Sequence, residues 1–376
     1  MASRRDTAPS GRGDDPESLH QSVEDDGSSR YRFTFRAGST NSSKGSVIEP
    51  DPDINDEYDG EDFDSQSLTD SVQNFPEEFG RTYHAYRAGS YNYPNDFVEQ
   101  ERLNLQTAAM TRLFGGRLFF APLKKSTPPR RILDIATGTG EWAIQIGDYF
   151  PEAEVTATDL SPIQPLDVPP NVNFYVEDSG EPWDYTHDFD YIHSRVTAGC
   201  WHSFKEQIAE QAFDNLAPGG WFESQEFDGA VNCDDGTMDP NGALARWFRE
   251  LADAADAVDR PIVICQQLKK VYEEVGFVDV HERVFKIPFN GWPKDENLKE
   301  LGKMWERNFQ SGLSGFSLNL FNRAFSRTAA QTEVALVDVR RELSDRRIHS
   351  YHLIWVVWGR KPFPGEVSRP TSFSPA

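Results

Sequence analysis

The sequence predicts an α/β domain built on a largely parallel sheet, and three observations carry that prediction. Between residues 131 and 227, apolar runs of strand length alternate with helical stretches. The first of these runs ends in a glycine turn, "ATGTGEW", and a helical pattern begins at once. That is the strand–turn–helix junction at which open α/β sheets bind their ligands. Two further strand-like runs stand near the end of the chain, separated by long helical material.

Taken in order, residues 1–75 read as an acidic region without a core. Met1 to Gly80 holds 19 acids and 7 bases, about half of a net charge of −23 for the 376-residue chain. Such a segment cannot bury enough apolar surface to offset its ordering entropy, and disorder is expected. It is a solvated leader or a docking tail for a protein partner. Residues 76–125 read as a helical cover: the aromatic run "RTYHAYRAGSYNYPND", then a helix with Phe97, Leu103, Leu105, Met110 and Leu113 spaced to pack. "KKSTPPR" breaks the chain before the main domain, 126–362.

Within that domain "RILDIA" (131–136), "AEVTATD" (153–159), "NVNFYVE" (171–177), "DYIHS" (190–194) and "GWFESQEF" (220–227) read as strands. Helices are expected over Glu141–Tyr149, Ser203–Leu216 and Ile262–Val275, with "APGG" (217–220) as a turn. "GFVDVHERVFKIPF" and "HSYHLIWVVWGRKP" supply the last two strands around helical residues 295–345. The Pro- and Ser-rich tail, 363–376, reads as flexible.

Composition narrows the function. The acidic balance argues against nucleic acid, whose binding is dominated by basic surface. Cys200, Cys233 and Cys265 form no CxxC pair, so neither a disulfide framework nor a metal site is expected, and a reducing interior suits them. The N-terminus lacks the apolar core of a signal peptide, and "LIWVVW" is too short to span a membrane. A soluble protein of the cytoplasm, with the nucleus as the alternative, is expected.

The glycine turn satisfies the dinucleotide fingerprint at Gly138, Gly140 and Ala143, and Asp159 follows 21 residues after Gly138, where a carboxylate would accept from ribose hydroxyls. An NAD-dependent oxidoreductase is therefore one reading. Three features pull away from it. Asp134, inside the first strand, is costly to bury unless something positive or hydrogen-bonding answers it. Glu141 puts negative charge where a dinucleotide places its phosphates. The late strand pair is not required by the simple dinucleotide order. S-adenosyl-L-methionine (SAM) fits all three, having an adenosine, a cationic methionyl end and no phosphate.

The run D-x-A-x-G-x-G from Asp134 to Gly140, followed by Asp159 and Asp178, resembles a class I SAM-dependent methyltransferase. From Arg81 onward "ILDIATGTGEWAI", "DLSPIQP", "VEDSGEPWDY", "FDYIHSR" and "LAPGGWFESQE" resemble the fungal LaeA-like methyltransferases. That family holds regulators of secondary metabolism and methyltransferases encoded in metabolite gene clusters. The resemblance implies the Rossmann-like, seven-stranded class I methyltransferase fold, with the helical cover before it and the helical insertion before the last strand. It implies methyl transfer to an O or N atom of a small-molecule acceptor, or a regulatory role in a protein complex. Ala136 stands where the family usually has glycine.

By the same resemblance Gly138 and Gly140 line the methionyl and ribose side and Asp134 faces the amino end. Asp159 holds the ribose, and Asp178 with Ser179 meets the adenine amino group. Trp183 is a candidate cover for the adenine. His193 and Arg195, at the end of the fourth strand, should sit near the transferred methyl. His193 is the candidate general base because its ordinary pKa lies near working pH. Glu226 is a second candidate proton acceptor. Tyr83, with His84, Tyr86 and Tyr91, is expected to fold over the cofactor.

Overall fold

The structure, a computed structural model, describes residues 70–366. Nearly all of the acidic region expected over 1–75, and the tail beyond residue 366, lie outside the described residues. A helical turn, Asp70–Gln73, and a hairpin of two-residue strands, Glu77–Glu78 and Arg81–Thr82, lead into the cover helix α1, Phe97–Leu113. Asp96 caps α1 by accepting from the Glu99 N–H at 3.0 Å, and the Arg81 guanidinium clasps the same carboxylate.

The main sheet contains β1 (Arg131–Ile135), β2 (Glu154–Asp159), β3 (Val172–Val176), β4 (Phe189–Arg195) and β5 (Leu216–Phe227), all parallel, in the order β3-β2-β1-β4-β5. The late pair, β6 (Val278–Pro288) and β7 (Ser350–Arg360), completes it. β7 runs antiparallel between β5 and β6, and Asn232–Cys233 adds a two-residue strand to its start. The order 3-2-1-4-5-7-6 is the seven-stranded Rossmann-like arrangement, and it is reached because the last two strands close one edge as a pair.

Pleat parity sorts the side chains of the sheet. Ile132, Val155, Ala157 and Tyr191 pack against Trp142, Ala143 and Ile146 of α2 (Glu141–Tyr149). Leu133, Ile135, Ile192 and Phe222 face the other way. There they meet Ile208, Ala209 and Ala212 around α3 (Glu210–Asn215), and Leu268 and Tyr272 of α5 (Leu268–Val275). A third core joins α4 (Ala243–Ala257), α6 (Glu296–Phe325) and α7 (Ala329–Leu343) to β6, β7 and α1. The insertion breaks into two helices at Ser326, whose left-handed φ of 53° ends α6, and Thr328 caps α7 through a reciprocal bond with Gln331.

Three local differences from the sequence reading have physical causes. "APGG" is no free turn: Leu216 already pairs with Phe189 in the sheet, and the Gly219 N–H donates to the Lys361 carbonyl. α5 starts six residues later than expected because the Ile262 carbonyl takes the Gly229 N–H, which holds that stretch extended. In α1 Phe97 is 73% exposed, while Glu99, Arg102, Gln106 and Thr107 are buried beside Met110. The inward face of this cover helix is largely polar, and the reason is what it covers.

Candidate active site

β1 ends in a tight sequence of left-handed backbone: φ is 52° at Ala136, 62° at Gly138 and 77° at Gly140. Glycine accepts such angles without strain, whereas alanine does so at a cost of about 1–2 kcal/mol. Gly140 is doubly required, since a Cβ there would lie 2.5 Å from the Phe174 ring on β3. At Gly138 a Cβ would meet only Leu103 at 3.7 Å, so this glycine leaves open space beside the turn.

That space is a cavity of about 450 Å³ off the carboxyl ends of β1, β2 and β4, a volume within the range of small-molecule and cofactor sites. Its wall includes Ala136, Gly138, Asp159, Asp178, Ser179 and Arg195, with His84 and Tyr91 from the cover. Asp159 accepts from the Gly138 N–H at 2.8 Å and the Ser161 N–H at 2.9 Å, and burial pushes its carboxyl up to about 6 despite those bonds. Asp178 takes the Gly180 N–H on one oxygen, and the other has no hydrogen-bond partner among the described residues. The Arg195 guanidinium donates to Thr107 Oγ1 at 3.0 Å and pairs with no carboxylate among the described residues. Burial lowers its pKa to about 10, so it stays charged at neutral pH.

These groups fit SAM. A guanidinium without a carboxylate partner suits the methionyl carboxylate, Asp159 the ribose hydroxyls, and Asp178 with Ser179 the adenine edge. Trp201, 6% exposed and on the cavity wall, offers the aromatic face expected of Trp183. Trp183 itself packs among the core residues with its Nε1–H donated to the Ser179 carbonyl.

Other candidate residues lie elsewhere. Asp134 shares the α2 face with Ile132, and His193 shares it with Tyr191, two residues apart in each strand. Parity therefore sends both sideways into the core, away from the strand ends. His193 Nδ1 donates to Asp134 at 2.7 Å, and Thr137 Oγ1 donates to the other carboxylate oxygen. The imidazole stacks on Trp142 at 3.6 Å and 7°, fully buried, with Nε2 unpartnered. The cost of burying Asp134 is thus answered by the protein itself. Neither residue is on the cavity wall, nor are Gly140, Tyr83 and Tyr86.

Glu226 is also off that wall. Its carboxylate accepts the Thr197 N–H at 2.7 Å, the Ala198 N–H at 3.1 Å and the Thr197 hydroxyl at 2.6 Å. Burial raises its pKa to about 7. Beside this clamp Val196 holds φ at 56°, a strained angle for a β-branched residue. Glu226 thereby fixes a turn that does border the cavity.

Sequence reasoning missed the contribution of α1. Glu99, Gln106 and Thr107 line the cavity, and Asn95 just before them donates to Ser161 Oγ at 3.2 Å. Their signal was present: Glu99, Arg102 and Gln106 recur at helical spacing as a polar stripe. Arg260 and Trp201 come from loops with no such pattern.

Residues 105–282 match the family model described as a methyltransferase domain. The chain is 39% identical over 300 residues to methyltransferase pytC of Aspergillus terreus, covering 79% of this chain and 91% of that one. It is 35% identical over 290 residues to secondary metabolism regulator LAE1 of Cochliobolus heterostrophus, covering 76% and 94%. It is 32% identical over 295 residues to protein-methionine methyltransferase laeA of Emericella nidulans, covering 77% of each. With relatives of that identity along most of its length, and the seven-stranded order and glycine turn in place, the chain belongs to the LaeA-like family of class I SAM-dependent methyltransferases.

Proposed function

We propose that the chain transfers the methyl group of SAM to an O or N atom of a small-molecule acceptor in fungal secondary metabolism, a reading supported by the methyltransferases and secondary metabolism regulators among its relatives. The observation that carries the reading is the cavity itself: it opens at the strand ends, and a smaller apolar chamber with room for the arm of a second ligand shares part of its wall. SAM supplies a methyl already activated on a sulfonium.

The protein's work is then positioning and exclusion of water. Gly138, Asp159, Asp178, Ser179 and Arg195 hold the donor. Asp134 and His193 brace the turn from beneath, and Glu226 braces the Val196 turn. Gly140 keeps α2 close to β3, and Tyr83 packs the cover. No carboxylate or imidazole lines the apolar chamber, so a base for an O–H or N–H acceptor would have to come from the cofactor cavity, whose wall carries His84 and Glu99. Incubation with methyl-labelled SAM, run against metabolite extract and against total protein, tests the assignment. Label in a low-molecular-weight product supports it, and label confined to protein overturns it.

A second reading is a regulatory role in a protein complex, favoured by the regulators among the relatives and by the acidic N-terminal region. Deleting residues 1–69 should then abolish a partner complex while methyl transfer persists. An intact complex after the deletion would count against that docking role.

A further inference from the structure

Behind the cofactor cavity lies a chamber of about 50 Å³, walled chiefly by Phe227, Phe248, Leu251, Ile262, Phe309 and Phe316. It meets the cavity at five residues common to both walls: Tyr91, Tyr93, Leu103, Gln106 and Val196. The chamber is too small for a whole ring system and large enough for a short apolar arm. Its one charged lining residue is Arg102. That guanidinium is already engaged by Glu99 at 2.6 Å, Gln106 Oε1 at 2.8 Å and Asn308 Oδ1 at 2.9 Å, and it lies over the Phe316 ring at 4.8 Å. A second charge entering the chamber would therefore find no partner, a costly outcome in so apolar a setting.

The junction carries one polar group with capacity to spare. Gln106 is 5% exposed, and Arg102 fixes its amide by occupying Oε1. Its Nε2 has no hydrogen-bond partner among the described residues, so two N–H donors stand at the boundary between the two spaces. Nε2 is not sealed from accessible space, so a ligand oxygen entering the junction can take its hydrogens in place of water. The Glu99–Arg102–Gln106 chain holds the amide in one orientation, since it could not turn over without losing its bond to Arg102.

We propose that this junction is the methyl-acceptor subsite. It selects a neutral small molecule that inserts a short apolar arm between the phenylalanines and presents a carbonyl or ether oxygen to Gln106 Nε2. Gln106 is the specificity-determining residue. The inference rests on the small-molecule reading above and narrows it: anionic and zwitterionic acceptors are disfavoured at the inserted end.

The test uses the full chain in saturating S-adenosylhomocysteine (SAH), with calorimetric titration of three probes. These are methyl 4-hydroxybenzoate, its free carboxylate 4-hydroxybenzoate, and 4-propylphenol, which keeps the arm and lacks the carbonyl. The ester should bind at least tenfold more tightly than the carboxylate and about tenfold more tightly than 4-propylphenol. Gln106→Leu should erase the preference of ester over 4-propylphenol, a ratio that general loosening of the fold would leave in place. Ala198→Leu, which fills the chamber from outside the cofactor cavity, should weaken both neutral probes at least tenfold and leave SAH affinity unchanged.

Equal binding of ester and carboxylate, an unchanged ratio in Gln106→Leu, full probe affinity in Ala198→Leu, or no binding of either neutral probe would each overturn the proposal. Absence of SAH binding in the parent protein would instead strike the donor site itself.

Discussion

The cofactor cavity and the apolar chamber behind it share five residues and are built on opposite principles. The cavity is made at strand ends, from backbone forced into left-handed angles at Ala136, Gly138 and Gly140 and from carboxylates whose oxygens tie down main-chain N–H groups. The chamber is made from side chains delivered by α1, α4, α6 and β5, with Arg102 on its wall held by Asn308, 206 residues away. A backbone-built site tolerates almost no substitution, because each residue type is chosen for what its main chain must do. A side-chain-built site can be re-lined one position at a time without touching the donor. That division lets a single scaffold keep one methyl donor and change acceptors.

The comparison can be broken most decisively at Gly138. Gly138→Arg puts a long cationic side chain into the open space of the turn and adds left-handed strain. SAH affinity should fall more than 100-fold by calorimetry, while the thermal transition followed by circular dichroism persists. Unchanged affinity would mean the turn is merely structural. Next in size is Glu226, which serves the boundary between the two spaces. Glu226→Ala removes three hydrogen bonds from the strained Val196 turn and should cost roughly 2–3 kcal/mol in urea unfolding. Glu226→Gln, which keeps an oxygen for the two N–H donors, should cost less than about 1 kcal/mol. If the Gln variant abolished transfer while folding normally, Glu226 would be a proton acceptor and not a brace.

Titration of Asp159 sharpens the contrast further. Ribose hydroxyls donate to the ionised carboxylate, and burial holds that carboxyl at about 6. SAH affinity should be level above about pH 7 and fall toward tenfold per pH unit below about 6. In Asp159→Asn that slope should vanish. Probe binding in the chamber, which no carboxylate lines, should lack it once the donor site is kept saturated. The smallest effect is expected at Ala136. Restoring glycine relieves left-handed strain and adds unfolded-state entropy, so the two terms offset and stability should move by less than about 1 kcal/mol. A larger loss would show that the alanine methyl packs on something of consequence.

The same contrast explains what was legible beforehand. Strands were readable from apolar runs bounded by turn residues, and their seven-stranded arrangement only from the family resemblance. The donor turn was readable because its glycines answer left-handed backbone angles. The destinations of Asp134 and His193 were not, although parity contained them: Ile132 and Tyr191 are core residues, so the residues two further along had to enter the same core face. Proximity to the strand ends suggested the cavity, and the pleat decided otherwise. The chamber was readable only in part: the helices over 240–258 and 295–330 offered Trp247, Phe248, Trp305, Phe309 and Phe316 as a substrate wall, and Phe248, Phe309 and Phe316 do line it, whereas Trp247 and Trp305 are core, because core and pocket use the same residue types at the same spacing. The polar stripe of α1 was visible and its meaning was not, because an inward polar face makes sense only once the space it faces is known.

That polar stripe ties the cover to mass action. α1 is tied to the body by Thr107 on Arg195 and by Arg102 on Asn308, its Glu99 and Gln106 face the cavity where a ligand would engage them, and its loop is pinned by Asn95 on Ser161. Any ligand that binds only when the cover is docked must stabilise the docked state by an amount that grows with the logarithm of its concentration over Kd. The donor and the acceptor would each contribute to closing the same lid, and each would therefore raise the affinity of the other without any contact between them.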